Sequence, residues 1–163
     1  MGVIHYKYSS IVDASMYDDI EQVNMFLCDG YDVNQVNEKG STALIWAAIN
    51  GNVGILLLLL AYDADPNIIN NSGYIAVVLA TKNHHKKIVS ILIQNESLLN
   101  FRYDENYLLS SMNSDVFSDP DVQESILTSQ PQYTKTLINN IGVCPEMSEK
   151  YKDYLGMIEM GIL

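Results

Sequence analysis

Residues of like type recur in this chain at a step of 33 positions. Gly40 and Gly73 are one step apart, and Ala14, Ala47 and Ala80 hold the step twice, as do Asn34, Asn67 and Asn100. Asp32 and Asp65 keep the same phase, as do Leu27, Leu60 and Ile93, and Phe26, Leu59 and Leu92. So many columns in phase mark an array of like structural units. Three units follow, about 4–36, 37–69 and 70–102. A unit of that size cannot bury its apolar face alone, so the stack is the stable object.

The second unit is the clearest. Asn37-Glu38-Lys39-Gly40 has the residues a tight hairpin requires. Residues 42–50 read as a short helix with Leu44, Ala47 and Ala48 on one face, small enough for a neighbouring helix to come close. Gly51-Asn52 breaks that helix, and residues 53–62 form a second. Its buried stripe is Ile55, Leu56, Leu59 and Leu60. Residues 63–67 lead out to the next hairpin.

Gly40-Ser41-Thr42-Ala43-Leu44-Ile45-Trp46-Ala47-Ala48, then Asn50-Gly51-Asn52 and Ala64-Asp65-Pro66-Asn67, resembles the ankyrin repeat. The first unit is similar but divergent: Asp18 stands at the helix-ending glycine and Lys7 at the hairpin glycine. In the third, Ile75-Ala76-Val77-Val78 replaces the usual Thr-Pro-Leu-His, and His84 the helix-ending glycine. The resemblance implies an all-α fold: an ankyrin-repeat solenoid of helix-turn-helix units with short β-hairpin fingers near 34–41 and 67–74. Residues 1–102 are expected to form the three repeats, and 103–163 a divergent helical extension that caps the stack. In that extension Asp119-Pro120 reads as a helix start, with a capping aspartate and proline at the first helical position. Residues 131–142 read as the second helix of a degenerate fourth repeat, and Met147, Tyr151, Tyr154, Leu155 and Ile158 as a final amphipathic helix.

Composition narrows the function. Nine Lys and Arg stand against 20 Asp and Glu, a net charge of −11. Nucleic acid and anionic membranes both select cationic surfaces, so neither is an expected partner. The uncharged stretch between Lys39 and Asp63 is cut by Asn50-Gly51-Asn52 and reads as two buried helices, not a membrane span. The N-terminal residues carry no apolar targeting region or myristoylation pattern. Cys28 and Cys144 form no metal-ligand spacing, so a reducing, cytoplasmic setting is expected, or a host cytosol for a viral or intracellular bacterial protein. Cys28 is expected to be half-buried. His84-His85-Lys86-Lys87 lacks the partners of a metal site and reads as a solvated face. No catalytic, cofactor-binding or metal residues are expected.

The resemblance implies a non-enzymatic, monomeric protein-interaction module that binds through its hairpin tips and first helices. Carried onto this sequence, the protein-binding candidates are Tyr8, Tyr17, Lys39, Ser41, Trp46, Ile49, Asn50, Tyr74 and Lys82. Tyr8, Ser41 and Tyr74 share one repeat position, and the expectation is a shallow seat at Ser41 flanked by the two rings. Lys39 and Lys82 are then the basic groups on an acidic rim that suits a partner with a basic surface. A second patch is expected at Leu57 and Tyr62, whose columns are polar in the other units. Two alternatives stay open: an adaptor whose Cys144-Pro145-Glu146-Met147 and Tyr154-Leu155 faintly echo an F-box, and an inhibitor or immunity-type protein that blocks a toxin or enzyme.

Overall fold

The computed structural model describes residues 5–95, 97, 102–103, 106–107 and 115–129, with 156 and 160 besides. The chain divides into two compact units, Met1–Asn83 and His84–Leu163.

The first unit contains α1 (Ile11–Met16), α2 (Ile20–Cys28), α3 (Ala43–Asn50), α4 (Val53–Ala61) and α5 (Ala76–Lys82). Helix α3 packs on α1, α4 and α5, and α2 packs on α1 and α4. Ala14, Ala47 and Ala80 lie fully buried along the α1–α3–α5 row, where a larger side chain would hold the helices apart. Val23, Phe26, Ile55, Leu56 and Leu59 fill the layer between the two helix rows.

The turns obey the 33-residue step in backbone conformation as well as in sequence. Gly51 sits in the left-handed region at φ 75°, and Asp18 and His84 adopt the same region at 58° and 59°. The resemblance aligned these two residues with the missing glycine. Asp and His meet the geometry at the cost of the Cβ clash that glycine avoids. After Asp18 and Gly51 the second helix is capped by a side chain, whereas His85 after His84 makes no side-chain cap bond. Asp19 and Asn52 accept from the backbone N–H groups of Gln22 and Ile55.

Each finger is held by one asparagine. Asn37 Oδ1 accepts from the backbone N–H groups of Lys39 and Ser41, and Asn70 Oδ1 from those of Ser72 and Tyr74. Neighbouring fingers are joined by Asn71, whose backbone N–H donates to Lys39 O and whose Nδ2 donates to Glu38 O. A Cβ on Gly40 would stand 2.4 Å from Asn71 Oδ1, so the junction requires glycine there.

The second unit contains α6 (Lys86–Gln94), β1 (Arg102–Tyr103), β2 (Asn106–Tyr107) and α7 (Pro120–Ser129). The strands pair antiparallel, Arg102 with Tyr107 and Tyr103 with Asn106. The repeat step was expected to lapse at 103, yet this pairing falls where the step from the earlier fingers puts a fourth. The sequence concealed it because no glycine marks the turn. Helix α7 begins at the expected proline and packs on α6; Val116, Phe117, Val122 and Ile126 are buried, as are Ile88, Val89, Leu92 and Ile93 of α6. The helix expected over 131–142 and the amphipathic helix expected beyond 147 fall outside the described residues, apart from 156 and 160.

Candidate functional site

The candidate face lies where α1, the first finger and α3 meet. Its central feature is a cavity of about 460 Å³. Ser10, Asp13 and Met16 line it from α1 and its cap, Val36 to Lys39 from the finger, and Trp46 from α3. Met16, Val36 and Trp46 supply apolar wall, Asp13 and Glu38 supply acid, and Lys39 supplies one base. Among the described residues Trp46 Nε1 is a buried donor without a hydrogen-bond partner.

Beside the cavity, the Tyr8 and Tyr17 rings stack with centroids 5.4 Å apart and planes 11° from parallel. Tyr17 is 63% exposed, so the stack presents an aromatic face to solvent. Lys7, at the position of the hairpin glycine, joins this cluster. Its Nζ lies 5.0 Å from the Tyr8 ring centroid and 2.9 Å from Asp19 Oδ2. Contact with Tyr8, and then with Asp19, raises the Lys7 ammonium above its usual value. The same ammonium draws the Asp19 carboxyl below the carboxylate range. In the third repeat, Lys82 Nζ stands 4.0 Å from the Tyr74 ring centroid, so two of the candidate residues form one cation–π pair.

Two of the expected site residues are spent on structure. Ser41 is only 4% exposed, because the finger closes over it: its backbone O accepts from Asn37 N and its N donates to Asn37 Oδ1. Its side chain therefore presents little surface. Asn50 is half-buried, and its Nδ2 donates to the carbonyls of Ser15 and Met16 and to Asp18 Oδ1. The amide thus satisfies carbonyls left open at the end of α1. Ile49 is half-buried beside it. Lys39 is exposed on the finger. Among the basic groups of this face, Lys7 joins Lys39 and Lys82.

On the second-helix side, Leu57 and Tyr62 are 49% and 43% exposed. Cys28, expected to be half-buried, is an exposed free thiol whose Sγ lies 4.0 Å from the Tyr62 hydroxyl. That contact raises the Tyr62 phenol. In the second unit the basic run is not simply solvated. His84 Nδ1 lies 2.8 Å from Asp115 Oδ1, and Lys86 Nζ lies 3.5 Å from Asp119 Oδ2. The opposite signs of residues 84–87 and 115–121 were the available signal.

Paired helices at a fixed step, joined by fingers that contact one another, define a helical repeat protein. The family described as ankyrin repeats matches residues 11–103 in three copies, and the chain belongs to it. Ankyrin repeats generally mediate contacts between proteins and are generally non-enzymatic. The chain is 31% identical to the mitochondrial disaggregase of Bos taurus over 96 residues, 59% of this chain and 14% of that protein. It is 36% identical over 70 residues to Notch-regulated ankyrin repeat-containing protein B of Danio rerio, 43% of this chain and 62% of that protein. The Xenopus tropicalis Notch-regulated protein matches at 36% over the same length, 60% of its own. In each case the chain spans less than two thirds of the relative. Among the described residues no helix is long and apolar enough to cross a membrane.

Proposed function

We propose that this chain is a non-enzymatic, monomeric module that takes a protein partner on the face formed by its fingers and first helices. The supporting observation is the cavity bounded by Asp13, Met16, Glu38 and Trp46 beside the exposed Tyr8–Tyr17 stack. An apolar wall under two carboxylates, which outnumber the one ammonium of Lys39 on the same lining, suits a basic side chain whose aliphatic stem packs while its charge meets Asp13 and Glu38. The rest of the partner lies across Tyr17, with Tyr74 and Lys82 at the far end of the row. The net charge of −11 supports the same reading, since it draws a partner with a basic surface into faster encounter. The free thiol at Cys28 supports a cytoplasmic setting.

The test is affinity capture with the intact chain, followed by calorimetry on the partner recovered. Tyr17→Ala and Glu38→Gln should each weaken binding about tenfold, which is about 1.4 kcal/mol, with the melting temperature held. Affinity unchanged in both variants would remove this face from binding. Residues 143–163, on which the F-box reading rests, lie outside the described residues apart from 156 and 160. Deleting them separates the adaptor reading from this one, because only an adaptor loses a ligase component while it keeps the partner. An inhibitor would bind on this same face, and adding the partner's own activity assay distinguishes it.

A further inference from the structure

The outward ridge of the second helix can be compared across all three repeats. Its four positions are Glu21, Asn24, Cys28 and Asp29 in the first repeat, and Lys87, Ser90, Gln94 and Asn95 in the third. In the second repeat they are Gly54, Leu57, Ala61 and Tyr62, all exposed and none charged. Helix α4 carries no polar residue at any of its positions. The strip widens toward α2, where a Cβ on Gly54 would stand 3.3 Å from Ile20 Cδ1. Ile20 is itself partly exposed.

The third repeat shows what such a ridge can carry. There α7 lies on α6, Ser90 Oγ and Ser125 Oγ are 2.6 Å apart, and Gln94 Nε2 donates to Ser125 Oγ at 3.1 Å. Ser90 is buried as a result, although Asn24 and Leu57 in the same column are exposed. The chemistry is matched: a polar ridge with Lys87 receives a polar helix face bearing Asp121 and Glu124. The ridge of α4 has the opposite character. It is apolar, it is bordered by the exposed carboxylates Glu21, Asp63 and Asp29, the last of which also accepts from the Tyr6 hydroxyl, and neither α2 nor α4 contains a Lys or Arg.

We propose that the outward ridge of α4, centred on Leu57 and Tyr62, is a second docking surface that receives an amphipathic helix of a partner protein, apolar along one stripe and flanked by Lys or Arg. It is independent of the finger face and leaves that face free, so the chain can hold two proteins at once. Apolar anchors at helical spacing supply the contact, and the flanking cations meet Glu21, Asp29 and Asp63.

Cys28 supplies a reporter, since its exposed thiol borders Tyr62. The full chain carrying Cys144→Ser is labelled at Cys28 with an environment-sensitive dye. It is titrated with an 18-residue synthetic helix that has leucines at i, i+4 and i+7 and flanking lysines. The expected result is a saturable signal that weakens at least tenfold in Leu57→Asp and with added salt, and is unchanged in Tyr17→Ala. Tyr62→Asp should reproduce the loss, and circular dichroism should show both variants folded. A peptide with glutamates for lysines should bind at least tenfold more weakly. No binding, equal binding of the two peptides, or no effect of Leu57→Asp would overturn the proposal. So would a wild-type dimer that Leu57→Asp dissociates, because the occupant would then be a second copy of this chain.

Discussion

Asn50 Nδ2 donates to Asp18 Oδ1 at 2.9 Å, binding the end of the second repeat's first helix to the left-handed turn residue of the first. The same Nδ2 reaches the carbonyl of Met16 at 3.1 Å. One amide therefore closes a helix terminus and registers two repeats. Asn50→Ala should cost about 1–3 kcal/mol, the range for leaving part-buried acceptors unmade. Urea unfolding with an unchanged m-value would measure it.

The left-handed turn positions give a test with a definite sign. Asp63 is exposed at φ 59°, in the column where the first repeat has Gly30 at 80°. Asp63→Gly should stabilise the chain by up to about 1 kcal/mol, since the Cβ clash of a left-handed residue is relieved. Asp18→Gly relieves the same clash but forfeits the acceptor for Asn50, so its gain should be smaller or reversed. Equal melting temperatures for the two variants would show that the Asn50 bond contributes nothing.

The fingers can be tested in the same way. Gly40 and Gly73 both have positive φ, but only at Gly40 would a Cβ meet a neighbour, Asn71. Gly40→Ala should therefore destabilise more than Gly73→Ala. Adding Asn71→Ala should narrow the gap in a double-mutant cycle.

These contrasts mark how far the sequence could be read. Helices α2, α4 and α6 begin and end 33 residues apart; Gly51-Asn52 and the spacing of apolar residues marked α4, and the repeat step carried those bounds to α2 and α6, where Asp18 and His84 replace the glycine. Such signals are local, so one chain suffices to see them. Ser41 looked like a seat because its column holds tyrosines elsewhere, but its burial depends on how the Asn37 turn closes over it. The stacking of Lys7 on Tyr8 and its pairing with Asp19 join residues 12 apart through tertiary packing, at a position where the repeat pattern held only a missing glycine. The exposed ridge at Leu57 and Tyr62 was legible for the opposite reason: comparing columns tests one position against its own equivalents.

The Lys7–Asp19 pair also sets a pH dependence. Asp19 ionises more readily folded than unfolded, so its contribution is present above about pH 3.9 and is lost as the pH falls through its lower folded value. Lys7 is raised, so its contribution is present below about pH 10.4 and is lost as the pH climbs through its higher folded value. Asp115, lowered by His84, adds to the acid side. Asp19→Asn keeps a side chain able to cap α2 at Gln22 and removes only the charge. Melting temperatures from pH 2 to 5 should fall less steeply in Asp19→Asn and in Lys7→Met than in the wild type. Parallel curves would mean that the pair is too well solvated to matter.

Phe117 and Val116 are essentially fully buried with Val122 and Ile126 against the apolar side of α6, and Gln123 Nε2 donates to Phe117 O at 3.1 Å. Losing a buried phenylalanine side chain costs about 3–5 kcal/mol where the site cannot collapse, so Phe117→Ala in the full chain should lower the melting temperature markedly. Ending the chain at Asn100 goes further. It removes α7 and its preceding turn and uncovers Ser90 together with the surface of α6 on which α7 packs. An array whose last unit lacks a polar outer face is insoluble or loses cooperativity. The truncated chain should therefore aggregate or unfold over a broad range, while Phe117→Ala stays folded but weaker. A monomeric truncation with the wild-type melting temperature would deny residues 103–163 the capping role.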